Sequence, residues 1–182
     1  YDACGGCSLQ HLAGQPYLAW KRGMVEKALS DRGIDFAVSD AVAATQGGRR
    51  RAVLTATRAG RHVLLGYHEK ASHRLVDISE CPVLDPAIVA ALPGLKALAA
   101  QVLPRKGELR LTVLATTAGL DVALDKADKA YDRKIPALSK MVVDENWARL
   151  SVNGEVILEI RPPLLDMGGI GIVPAPGGFT QA

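Results

Sequence analysis

Short apolar runs separated by polar or glycine-rich breaks make up most of the chain, and the spacing within each run predicts its element. Tyr17, Trp20, Met24 and Ala28, with Val25 and Leu29, recur at helical spacing between Pro16 and Gly33, which predicts one amphipathic helix with proline in its first turn. From Arg51 to Ile78 the runs shorten: Ala52 to Thr57, a turn at Gly60, Val63 to Tyr67, a polar loop through Ser72, then Leu75 to Ile78. These predict three strands and a small antiparallel sheet. Asp85-Pro86 has the chemistry of a helix N-cap and first turn. Pro93-Gly94 is expected to break that helix before a second run, Leu95, Leu98, Ala99 and Val102, which Pro104 closes.

Further on, Leu109 to Ala115 and Leu120 to Leu124 flank Thr116 to Gly119 and predict a second hairpin. Ile135 to Val143 has helical apolar spacing, with Pro136 tolerable only near its start. The last part, Ala148 to Val152, Val156 to Ile160 and Ile170 to Val173, is again strand-like, with the hairpin dipeptide Asn153-Gly154 between its first two runs. The fold class expected is α+β, with small mixed or antiparallel sheets and two to three helices.

Composition narrows the classes. Of 182 residues, 48% are hydrophobic and 23% charged, enough for one sizeable core. The longest charge-free apolar stretch, Pro86 to Leu95, falls well short of the roughly 18 residues that span a bilayer, and the N-terminus lacks the regions of a signal peptide. A soluble cytoplasmic protein without a membrane partner, and a monomer, is the expectation. Net charge is only +3, but Arg49 to Arg74 contains seven basic residues (Arg49, Arg50, Arg51, Arg58, Arg61, Lys70, Arg74) against Glu69 alone, leaving the remainder at −3. That asymmetry points to a face for phosphates. Solvated arginines paired with acids elsewhere are the plainer reading. In a strand, Arg49 and Arg51 would share one face and Arg50 the other.

Three cysteines cannot all pair within one chain, and Cys4-Gly5-Gly6-Cys7 is a tight turn that lets two thiolates converge. A thioredoxin-type pair needs a strand before it and a helix at its first cysteine, and only three residues precede Cys4. Zinc could take Cys4, Cys7, Cys81 and one of His11, His62, His68 or His73. A cluster wants four cysteines where this chain has three. His11, inside the cysteine motif, is the histidine to follow.

The longer string Cys4 to Leu12 (CGGCSLQHL), then Tyr17, Lys21 and the later Cys81-Pro82-Val83-Leu84, resembles the iron–sulfur branch of the S-adenosylmethionine-dependent RNA uracil-C5 methyltransferases, which form 5-methyluridine in rRNA or tRNA. Arg49-Arg50-Arg51-Ala52, Gly66-Tyr67, Ser72 to Asp77 and Pro176-Gly177-Gly178-Phe179-Thr180-Gln181 carry the resemblance nearly end to end. It implies a 4Fe-4S cluster held by a C-x-x-x-x-x-C-x-x-C run and a distant C-P cysteine. Cys4, Cys7 and Cys81 match the second, third and fourth ligands, and the first falls upstream of Tyr1. Gln181 matches the glutamine that contacts the methyl donor.

Both ends therefore look cut, and the chain is expected to be a piece of a longer enzyme. Residues 1–15 would form the cluster loop, 16–174 a central α+β RNA-binding domain, and 175–182 the start of a Rossmann-like methyltransferase domain. The resemblance implies a cysteine thiolate that attacks C6 of uracil, methyl transfer to C5 and a carboxylate that removes the C5 proton. Those catalytic groups would lie beyond Ala182, with rRNA ahead of tRNA as substrate. The competing expectation is a zinc- or cluster-stabilised RNA-binding module with no enzymatic activity.

Overall fold

Strand β1 (Arg51–Ala59) alternates half-buried and buried positions, with Ala52, Leu54 and Ala56 inward. It pairs antiparallel with β2 (His62–His68), which pairs antiparallel with β3 (Leu75–Asp77). The first antiparallel sheet is therefore as expected. It is one end of a larger one, because the other edge of β1 pairs with β4 (Leu109–Thr116), setting Ala52 opposite Val113 and Leu54 opposite Leu111. The hairpin of β4 and β5 (Gly119–Asp125) continues the sheet. β6 (Arg149–Val152) joins β5 in parallel, and β7 (Glu155–Glu159) closes the edge. The computed structural model describes residues 3–178, and there the order is β3-β2-β1-β4-β5-β6-β7, with β8 (Leu165–Asp166) and β9 (Gly171–Ile172) forming a separate pair. The fold is α+β with a mostly antiparallel seven-stranded sheet.

Turn chemistry explains the local joins. Asn153 and Gly154 both adopt positive φ, 50° and 89°, as a two-residue hairpin turn requires. Asn153 also accepts the Ala127 N–H through its side chain at 3.0 Å.

The helices α2 (Pro86–Ala90), α3 (Leu92–Val102) and α4 (Ile135–Asp144) cover one face of the sheet. Asp85 caps α2 by accepting the Ala87 N–H at 2.8 Å. The break between α2 and α3 falls before Pro93, not at Pro93-Gly94. A proline in the first turn of a helix sacrifices no hydrogen bond, so Pro93 starts α3. Leu95, Leu98 and Val102 of α3, Ile88 of α2 and Leu138 and Val142 of α4 are fully buried against Leu54, Leu111, Val113, Val122 and Leu150.

The N-terminal helix α1 (Gly14–Ser30) forms as its spacing predicts but buries none of its residues. Trp20, Met24 and Val25 are about half exposed. The periodicity is correct, and its usual consequence, an apolar face packed on the core, is absent among the described residues. No described helix is long and apolar enough to cross a membrane.

Candidate functional site

The two cysteine segments, 74 positions apart in sequence for Cys7 and Cys81, meet at the β2–β3 end of the sheet. On one side the backbone of Cys4 bridges Glu69, and the Gly5 N–H donates to the His68 carbonyl at 3.0 Å. A Cβ on Gly5 would stand 2.3 Å from that carbonyl oxygen, and one on Gly6 would stand 3.2 Å from the Tyr67 ring. The glycine pair thus lets the thiol turn lie directly on β2. On the other side the loop after β3 pairs with the approach to β1: Gly47 N–H donates to Pro82, Arg49 N–H to Val83, and Asp85 N–H to Arg49, each at 3.0 Å.

Between them lies a cavity of about 110 Å³ lined by Cys4, Cys7 and Cys81 together with Gln10, Arg49 and Tyr67. The three thiols are free and half-buried. Burial pushes the Cys7 thiol up, with Cys81 and Cys4 adding to it, while Arg49 and a 3.1 Å hydrogen bond donated by Gln10 work the other way. Burial also raises the Tyr67 hydroxyl to about 12, so it stays protonated at neutral pH. Among the described residues no group of three or more His, Cys, Asp or Glu is arranged to hold a single metal ion. No histidine lines the cavity. His11 is exposed, and His68 pairs with Glu108 at 3.0 Å. The Cys₃His zinc set considered from sequence is therefore not assembled.

The arginines separate. Arg49 lines the thiol cavity, and Arg50 lines an open cleft of about 490 Å³ with Thr117, Asn146 and Asp166. Arg51 donates from Nε to the Gly178 carbonyl at 3.0 Å. Alternation puts Arg50 apart from its neighbours, and Arg49 and Arg51 also separate, because Arg49, ahead of the strand, pairs through its backbone with the Cys81 loop while Arg51 reaches Gly178. Arg74 pairs with Glu69 at 2.8 Å. Arg58 and Arg61 are exposed at the β1–β2 hairpin tip, and Lys70 is exposed beyond β2. None of these three has an ion-pair partner among the described residues.

The sequence reading missed a neighbour of that tip. Thr57 Oγ1 donates to the Gly107 carbonyl at 3.5 Å, which brings the loop carrying the exposed Arg105 and Lys106 to the end of β1 that carries Arg58. The only signal in the sequence was a basic pair in a Pro-Arg-Lys-Gly loop, with nothing to show which strand end it joins. Gln181 lies outside the described residues.

No family model matches the chain. It is 41% identical over 182 residues to an uncharacterized RNA methyltransferase of Brucella suis biovar 1, covering 100% of this chain and 44% of the relative. An uncharacterized RNA methyltransferase of Caulobacter vibrioides is 37% identical over 190 residues, covering 100% of this chain and 46% of the relative. A 23S rRNA (uracil(1939)-C(5))-methyltransferase, RlmD, of Halomonas elongata is 37% identical over 99 residues, covering 53% of this chain and 20% of the relative. The chain spans less than half the length of these relatives.

Proposed function

We propose that the chain is the cluster-binding and RNA-binding part of an S-adenosylmethionine-dependent RNA methyltransferase that acts as a monomer on C5 of uridine in rRNA. The observation that carries this reading is the convergence of Cys4, Cys7 and Cys81 on one cavity, in a chain whose relatives over its full length are named RNA methyltransferases. The uridine and rRNA assignments rest on the resemblance and on the name of the Halomonas relative.

Three thiols with no histidine among the lining residues fit the sulfur-only donor set of a 4Fe-4S cluster, in which each cysteine binds its own iron. Cys4, Cys7 and Cys81 would hold three irons, and Arg49 would offset part of the cluster's negative charge. When bound, the cluster supplies a cross-link between the N-terminal turn and the Cys81 loop. In the chain-entropy model for disulfides, a link across so long a loop is worth on the order of 4 kcal/mol. Methyl transfer from this donor changes no oxidation state, so a structural role is sufficient.

Arg58, Arg61, Arg105 and Lys106 would meet RNA phosphates, a contact that positions without reading sequence. Arg50, Lys70 and Arg74 lie towards the other end of β1 and β2 from Arg58 and Arg61 and would form a second, separate contact. The groups that attack uracil and remove its C5 proton are not assigned to this chain, and Gln181 is assigned to the donor. The test is methyl transfer from labelled donor to rRNA by the longer polypeptide, with 5-methyluridine identified by mass spectrometry. Labelled 5-methyluridine is the expected product. RNA binding without donor binding would favour the non-enzymatic module.

A further inference from the structure

The face of the sheet opposite the helices should be open, yet Thr112, Asp121, Ala123, Arg149 and Ser151 on it are all nearly inaccessible. Part of the cover is the chain that follows β9. Arg149 of β6 donates from Nη2 to the Pro174 carbonyl at 2.8 Å. Ala175 to Gly178 then closes a turn, with the Gly178 N–H donating to the Ala175 carbonyl at 2.9 Å. Pro176 and Gly177 occupy its two central positions, and Gly177 has φ +66°, the pattern of a type II turn. A Cβ on Gly177 would stand 3.3 Å from Cβ of Ala123 on β5, so the missing side chain lets the turn lie flat on the sheet.

Arg51 of β1 then donates from Nε to Gly178 at 3.0 Å and from Nη2 to Gly177 at 3.4 Å. Two arginines, from β6 and from β1, therefore hold the carbonyls of one strap across the sheet. Asp121 holds Arg149 in place through both its oxygens. Guanidinium groups suit this because their donors are fixed in direction and survive burial as charges.

We propose that Arg51 and Arg149 are positioning residues that hold the strap from Pro174 to Gly178 on the sheet, and so fix the point three residues before Gln181. The structural half stands on hydrogen bonds alone, and its consequence for the donor rests on the methyltransferase reading above. It reassigns Arg51 from RNA contact to strap, and makes donor affinity depend on a side chain of β1.

The test uses Arg51→Gln and Arg51→Lys, since Arg51 is only half-buried and its variants are expected to fold; Arg149 variants remove a buried charge. In this chain, 15N relaxation at Gly177 and Gly178 should fall from the rigid range, about 0.85, to below about 0.6 in Arg51→Gln, with partial recovery in Arg51→Lys. In the longer polypeptide, Arg51→Gln should raise the donor KM about tenfold, as for loss of one charged hydrogen bond, with kcat within about twofold and RNA affinity unchanged. Unchanged order at Gly177 and Gly178 in a folded Arg51→Gln protein would overturn the clamp. Loss of order with unchanged donor affinity would overturn its role toward the donor. A wild-type longer polypeptide that binds no donor, with the order loss intact, would overturn the methyltransferase reading and leave the clamp standing.

Discussion

Arg149 and Asp121 face each other across the parallel β5–β6 pair, joined by hydrogen bonds of 2.9 and 2.8 Å, with side-chain exposures of 5% and 3%. Hydrogen bonding to Asp121 holds the guanidinium above its ordinary pKa against the pull of burial. Removing Asp121 leaves the buried guanidinium the more distant, part-exposed Glu159 at 3.6 Å as its carboxylate, so Asp121→Ala is expected to lose about 3 kcal/mol of stability, the low end for a broken buried pair. Replacing both residues by apolar ones of similar volume should recover much of that loss. Urea unfolding of the two variants checks the difference, and a single-variant cost below about 1 kcal/mol would mean the pair is hydrated in solution.

Gly5 is a second sensitive point. Because a Cβ there would meet the His68 carbonyl oxygen at 2.3 Å, Gly5→Ala should lift the cysteine turn off β2 and lose the Gly5 to His68 hydrogen bond. The expected outcome is a reduced iron content after anaerobic purification, with the β-sheet signal in circular dichroism preserved. Cys81→Ser should go further, losing thermal stability and RNA affinity together.

The β3–α3 contact carries a pH dependence. Burial raises the Asp77 carboxyl, but hydrogen bonds from Lys96 and from the Leu65 N–H outweigh it, and the net pKa is below the ordinary value. A carboxyl depressed in the folded state contributes stability that is whole above its unfolded pKa and lost as pH falls through the folded value. Stability should therefore decline from about pH 4 downward, with a smaller decline in Asp77→Asn. Thermal midpoints at several pH values would show it, and identical acid limbs would rule Asp77 out as a source.

On the basic end of the sheet, Arg58→Ala with Arg61→Ala should weaken RNA binding by a similar factor across sequences. The salt dependence should also flatten, with the slope of log K against log salt falling by roughly 1 to 2. An unchanged slope would place the RNA elsewhere.

How much of this was legible follows from the range of each interaction. β1, β2, the β4–β5 hairpin and the Asn153-Gly154 turn are local, and their spacing or turn residues state them directly. That β1 joins β4 is a pairing of Leu54 with Leu111 across 57 positions, and alternation, which fixes a strand's faces, names no partner. Cys4, Cys7 and Cys81 stand out in the sequence by residue type and spacing alone, and all three line one cavity. The divergence of Arg49, Arg50 and Arg51 was only half legible: parity separates Arg50, while the different fates of the other two depend on the Cys81 loop and on the strap at Gly178. α1 shows the reverse limit, a helical apolar pattern with no surface among the described residues to receive it.

The central claim is that the three cysteines hold an iron–sulfur cluster in an RNA methyltransferase. Its most direct test is iron, zinc and acid-labile sulfide per chain on anaerobically purified protein that includes the residues flanking this chain. The account predicts about four irons with matching sulfide, as a cubane requires. About one zinc per chain without sulfide would contradict it.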